Sequence, residues 1–209
     1  FSTPFSNQAG GSVVVNDGTL VLSGGGVNSG SIEIAAGATA RFGGNYTHTA
    51  GSTLVSHGSV DFNAATISLD GNVTIDGDLS FNSAAATVRA NATAAKLALV
   101  NSTATVAAGG VLSVGPGGIA FGGAAANTVT LQASAGAPGK LVLGGDVAFT
   151  GSDGTAGLNT GDIAVTQTAG LLDLGAASRT FAVNDGLAAV DLAVSARLAN
   201  GSIVKSGTG

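Results

Sequence analysis

The chain has 209 residues, of which 35 are Gly, 3 are Pro and none is Cys, Met or Trp; only 9% are charged, and the formal net charge is −5. Seven Lys plus Arg cannot build the clustered cationic surface that nucleic acid demands, and without Cys there is no disulfide, thiolate nucleophile or Cys metal site. No apolar run reaches the length of about 18 residues needed for a membrane-spanning helix, and a Val-, Leu- and Ala-rich chain with so little charge and Pro is neither disordered nor collagen-like.

The first residue is Phe1, which points to removal of a leader or to an internal piece of a longer polypeptide. Residues 1–11 stand apart. Phe1-Ser-Thr-Pro-Phe5 places two aromatics around a Pro that cannot sit in a central strand, so this segment is expected to cap the first coil or to contact a neighbouring subunit. From Ser12 to Gly209 the pattern is monotonous. Runs of three to five β-branched or alternating residues are separated by Gly, Asn, Asp or Ser.

The early runs are Ser12–Val15, Thr19–Leu22, Ser31–Ile34, Ala38–Phe42, Tyr46–Thr49, Thr53–Val55, Ser59–Phe62 and Thr66–Leu69. The middle holds Asn72–Ile75, Asp78–Phe81, Thr87–Ala90, Lys96–Val100, Thr103–Val106, Val111–Val114, Gly118–Phe121 and Thr128–Leu131. The later ones are Lys140–Leu143, Asp146–Phe149, Asp162–Thr166, Leu171–Leu174, Thr180–Val183, Val190–Val194 and Ser202–Lys205. Asn184-Asp185-Gly186 and Asn200-Gly201 separate the last three as turns, because Asn and Gly accept positive φ.

Many runs follow one grammar: a turn Gly, a small or polar residue, then apolar–x–apolar, as in Gly58-Ser-Val-Asp-Phe62 and Gly77-Asp-Leu-Ser-Phe81. A period of two with a free middle position buries one face of a strand. Units recurring every 20 to 30 residues fit a solenoid coil of two or three short strands, about nine or ten coils in all. Leu22, Leu69, Leu143 and Leu192 are expected inside, and Asp at any of them should prevent folding.

The last 32 residues carry a more specific signal. Thr180-Phe-Ala-Val183, Asp191-Leu-Ala-Val194 and Lys205-Ser-Gly-Thr-Gly209 resemble the autotransporter-associated β-strand repeat of bacterial surface proteins, and Gly18-Thr-Leu-Val-Leu22 resembles its continuing segment. The resemblance implies an all-β, right-handed parallel β-helix in an exported passenger region, extracellular or on the bacterial cell surface, without catalytic residues or cofactor. Independently of the resemblance, a parallel β-helix with no visible capping helix leaves unpaired strand edges, so the expected function is a structural rod associating end to end into a fibre, with Phe1, Phe5, Ile203 and Val204 as subunit contacts. The alternative is an adhesin that binds surface glycans through a long polar face and loops such as Ala124–Asn127 and Thr150–Asn159.

Few residues invite chemistry. Asp70, Asp76 and Asp78 fall within nine residues and are read first as turn formers, with weak Ca²⁺ binding as the alternative; the EF-hand spacing is absent. His48 and His57, each in a Ser/Thr/Gly setting, read as surface or loop residues rather than a metal pair. Glycoside cleavage needs placed carboxylates, yet the cations are scattered and Tyr46 is the one Tyr available to stack on sugar, so the chain reads as a non-enzyme.

Overall fold

The computed structural model describes residues 1–150, 154–160 and 167–209. The expected strand Asp162–Thr166 and residues 151–153 of the expected loop Thr150–Asn159 lie outside them. The described residues form no helix. The first strands are β1 (Phe5–Asn7), β2 (Ser12–Val15), β3 (Thr19–Leu22), β4 (Gly26–Asn28), β5 (Ser31–Ile34), β6 (Thr39–Gly43), β7 (Tyr46–His48), β8 (Thr53–Ser56) and β9 (Ser59–Asn63). Next come β10 (Thr66–Leu69), β11 (Asn72–Asn82), β12 (Ala85–Val88), β13 (Asn91–Val100), β14 (Thr103–Val106), β15 (Val111–Gly122) and β16 (Asn127–Leu131). The last are β17 (Lys140–Leu143), β18 (Val147–Phe149), β19 (Ala156–Thr160), β20 (Leu171–Val183), β21 (Leu192–Val194) and β22 (Arg197–Ser206).

All named strands pair in parallel, each with its counterpart one coil away, so the chain is a β-solenoid. The first face is a nine-stranded ladder, β1-β4-β7-β10-β12-β14-β16-β19-β21. The second runs from β2 through β5 and β8, and the third from β3 through β6 and β9. These two faces join where β11, β13, β15, β20 and β22 bend around the corner without leaving the ladder, with register shifts at Ile75/Asp78, Ala94/Lys96 and Asp173/Ala177. Neighbouring runs expected as separate strands, such as Asn72–Ile75 and Asp78–Phe81, are therefore single long strands. For the same reason Asn200-Gly201 is not a turn between strands. It has the anticipated positive φ (53° and 150°), but it is the bend inside β22.

Each coil feeds the same inward columns. The third face stacks Leu22, Phe42, Phe62, Phe81, Leu99, Phe121, Phe149 and Val183. Phe42, Phe62 and Phe81 lie nearly parallel, with centroids 5.0 and 5.6 Å apart. Burying each such ring contributes roughly 1.5–3 kcal/mol, and offset pairs add about 0.5–1.5 kcal/mol. Leu22, Leu69 and Leu143 are buried as expected, whereas Leu192, in the last coil, is only partly covered.

Residues 1–11 begin the array. Phe5–Asn7 pairs with Gly26–Asn28 as the first rung, and the carbonyl of Phe1 accepts from Ser23 N (2.8 Å) alongside the end of β3. Phe5 packs on the core. Gly26 makes this possible: at φ 147° its Cα passes so close to β1 that a Cβ would fall 1.8 Å from the Phe5 carbonyl oxygen.

Coil length changes along the rod. Partners on the first face are 18 to 21 residues apart from Phe5↔Gly26 to Ala85↔Thr103. They then move to 25 at Thr103↔Thr128, 29 at Asn127↔Ala156 and 36 at Ala156↔Leu192. Beyond the strands of two of these longer coils, Ser134 and Thr168 meet in an antiparallel bridge.

Candidate functional site

Three features could carry function: the acidic cluster, the buried polar ladder that contains His48, and the surfaces offered by the faces and ends of the solenoid.

The structure does not gather Asp70, Asp76 and Asp78. Each faces a basic side chain one coil away instead. Asp70 accepts from Arg89 Nη1 (2.8 Å) and Ser68 Oγ (2.9 Å), Asp76 from His57 Nδ1 (2.6 Å), and Asp78 lies 3.6 Å from Lys96 Nζ. Arg41 and Asp61 make a fourth such pair at 3.2 Å. Burial alone would raise the Asp70 carboxyl, but the hydrogen bonds from Arg89 and Ser68 outweigh it and hold the group below its ordinary range. Among the described residues, no three His, Cys, Asp or Glu side chains form a group able to hold a metal. Between Arg41 and Lys96, four basic side chains that look scattered along the chain thus each stack on a carboxylate one coil, 18 to 20 residues, away. That spacing was the signal available in the sequence.

His48 corrects the surface reading. It is the inward residue at the end of β7, fully buried, and belongs to a column that begins Asn7, Asn28, His48 and continues Leu69, Val88, Val106. Asn7 Nδ2 donates to Asn28 Oδ1 (2.7 Å), Asn28 Nδ2 to His48 Nδ1 (2.8 Å), and His48 Nε2 to the Asn72 carbonyl (3.4 Å). The amides cannot be turned around. Asn7 Nδ2 also donates to the Ser31 carbonyl (3.0 Å), Asn28 Nδ2 to that of Gly30 (3.3 Å), and Asn28 Oδ1 accepts from Gly30 N (3.3 Å). The network therefore fixes the imidazole as the neutral Nε2–H tautomer. Burial pushes its pKa below the usual value, against smaller opposing effects from the Asn72 carbonyl and Asp70. His57 is half-exposed on the opposite side of the coil, paired with Asp76.

A second polar cluster, centred on the buried Asp173, was not anticipated. Asp173, on β20 just before the bend, accepts from Lys140 Nζ (2.8 Å), Asn200 Nδ2 (3.0 Å) and Gly175 N (3.0 Å). The Lys140 hydrogen bond, above all, holds its carboxyl below the ordinary range.

The nine strands of the first face contain no Asp, Glu, Lys or Arg. Thr47, Ser68, Thr87, Thr105 and Thr130 form one outward column there. A polar groove of about 410 Å³ runs along its edge past Asn45, Thr66, Ser83, Asn101 and Thr103. Of the loops expected to bind glycans, Ala124, Ala125 and Ala126 are exposed, and residues 151–153 lie outside the described residues. Asn127 is buried and opens β16, and Ala156–Thr160 is a strand of the first face. Tyr46 packs inside against Phe42 at 4.6 Å, so it offers no sugar platform.

At the C-terminal end of the array a cavity of about 370 Å³ opens between β20, β21 and β22, lined by Phe181, Val183, Val190, Leu192 and Ile203. Val204 is exposed there, as is Phe1 at the other end, whereas Phe5 and Ile203 pack against the chain's own core. No protein-family model, no curated protein and no solved structure matches this chain.

Proposed function

We propose that this chain is a structural rod segment of an exported bacterial surface protein, and that it associates end to end. The observation that carries the reading is the stacking, among the described residues, of about nine coils around one apolar core, with β1 and β2 at one end and β21 and β22 at the other each paired with a strand on one side only, while Phe1 covers part of the edge of β3. Backbone hydrogen bonding along the axis makes such an array stiff, and a strand edge with unpaired N–H and C=O groups recruits another strand. At about 4.8 Å per coil the rod is roughly 40 Å long. Electron microscopy of the purified chain at rising concentration is expected to show these rods joining into filaments, and joining should fail when Val204 and Phe1 are both replaced by Lys. Dispersed, non-associating rods at every concentration would overturn the association and leave the rod.

A second reading rests on the first face. Strands without ionised side chains, with Thr hydroxyls beside a polar groove, suit a neutral glycan held by hydrogen bonds, although the Asp70–Arg89 pair reaches this column at Ser68. A glycan array of neutral and acidic polysaccharides separates the two readings: retention of neutral members, lost on Thr87→Lys and Thr105→Lys, supports the adhesin.

A further inference from the structure

We propose that the Asn7–Asn28–His48 ladder makes the first three coils an acid-sensitive latch, closed while His48 is neutral and released when it takes up a proton. The argument is one of donors and acceptors. Asn28 Nδ2 points at His48 Nδ1 and is held in that orientation by the Gly30 carbonyl, while Asn28 Oδ1 is held by Gly30 N and Asn7 Nδ2. A second proton on the imidazole turns Nδ1 into a donor facing a donor. Turning the Asn28 amide to meet it would set its oxygen against the Gly30 carbonyl, remove the acceptor of Gly30 N, and force Asn7 to turn away from the Ser31 carbonyl as well. The ring is fully buried, so bulk solvent cannot reach it to take over the hydrogen bond. Protonation is thus compatible only with separation of the three rungs.

The charged group that faces His48 is Asp70, beyond the end of the strand on the next coil, and its carboxylate is paired with Arg89. Asp70 favours the imidazolium, yet burial outweighs it. The Asp70 carboxyl is itself held below the ordinary carboxylate range by its hydrogen bonds from Arg89 and Ser68, against burial. The sign follows from linkage. With a lowered folded pKa, the open state binds more protons, so stability is complete above the unfolded value of 6.5 and is lost as the pH falls from there toward the folded value.

Hydrogen exchange of the whole chain between pH 7.5 and about 4.5, corrected for intrinsic rates, tests this. One proton taken up on opening makes the opening constant of residues 5–63 rise roughly tenfold per pH unit below 6.5, with the coils beyond Asn127 unchanged. His48→Leu, which extends the Leu69 column, should remove that slope, and His57→Gln should keep it. If His48→Leu does not fold, long-range ¹⁵N–¹H spectra of the native ring decide, since Nε2–H with no titration in the closed state is expected. An acid response spread evenly along all coils, a slope that survives His48→Leu, or a ring that protonates near pH 6.5 with the coils closed would overturn the proposal.

Discussion

The two polar clusters meet opposite demands of the backbone around them. The ladder near the N-terminal end lies beside carbonyls, those of Ser31 and Gly30 among them, and is built from amide donors with no net charge. The cluster near the C-terminal end lies where the bend in β20 leaves Gly175 N–H unpaired, and a carboxylate accepts it together with Asn200 and Lys140. The polarity of the exposed backbone group selects the side chain. The consequence is two different acid windows in one rod. The imidazole ladder loosens below 6.5, while Asp173, whose folded pKa is lowered, contributes stability above the unfolded value of 3.8 that is lost only as pH falls further through the folded value.

The largest contrast between these regions should come from the core. Phe62 is fully buried between Phe42 and Phe81, so Phe62→Ala is expected to cost about 3–5 kcal/mol. Phe181 lines the terminal cavity, where the site is already open on one side, and Phe181→Ala should cost clearly less, under about 3 kcal/mol. Urea unfolding of both variants checks this; equal losses would mean that the end coils are packed as tightly as the middle ones.

The polar clusters come next. Asn28→Ala strips a partner from Asn7, Gly30 N and His48 Nδ1 at once; Asn7 keeps the Ser31 carbonyl and Gly30 is only partly buried, but the fully buried His48 Nδ1 is left unpaired, at a cost of about 1–3 kcal/mol. Asp173→Ala also leaves Gly175 N unpaired, but the Lys140 side chain is about a third exposed and can rehydrate, so the loss should be nearer the lower bound of about 1 kcal/mol. Unfolding at pH 7 ranks the two. The Asp173 variant should also lose its extra acid sensitivity below pH 3.8, and persistence of that sensitivity would assign it to another carboxylate.

What the sequence makes legible follows from what repeats in it. The period of two in Gly58-Ser-Val-Asp-Phe62 places Val60 and Phe62 inside and Asp61 outside, and the structure has them so. That pattern is local, and it is enough to specify a solenoid of parallel strands. The polar ladder is not local. Asn7, Asn28 and His48 each precede a Gly by two or three residues and read singly as turn formers or surface groups. Only their spacing of 21 and 20 residues marks them as one column. Coil lengths that drift from 18 to 36 residues hide such columns, which is why Asp173 and Asn200 were not brought together by reading along the chain.

The smallest effect concerns the surface. Arg41 Nε donates to Asp61 at 3.2 Å across one coil boundary, and Asp61 is held also by Ser80 of the following coil. Burial would raise the Asp61 carboxyl, but these hydrogen bonds prevail and hold it below its ordinary range. The Arg41 side chain is half-exposed, so the pair should contribute no more than about 1 kcal/mol, and less in high salt. A double-mutant cycle with Arg41→Ala and Asp61→Ala is expected to return a coupling within that limit, with Asp61→Ala alone costing more than Arg41→Ala because it also deprives Ser80. A coupling well above it would mean that charges stacked one coil apart, and not the apolar columns alone, hold neighbouring coils in register.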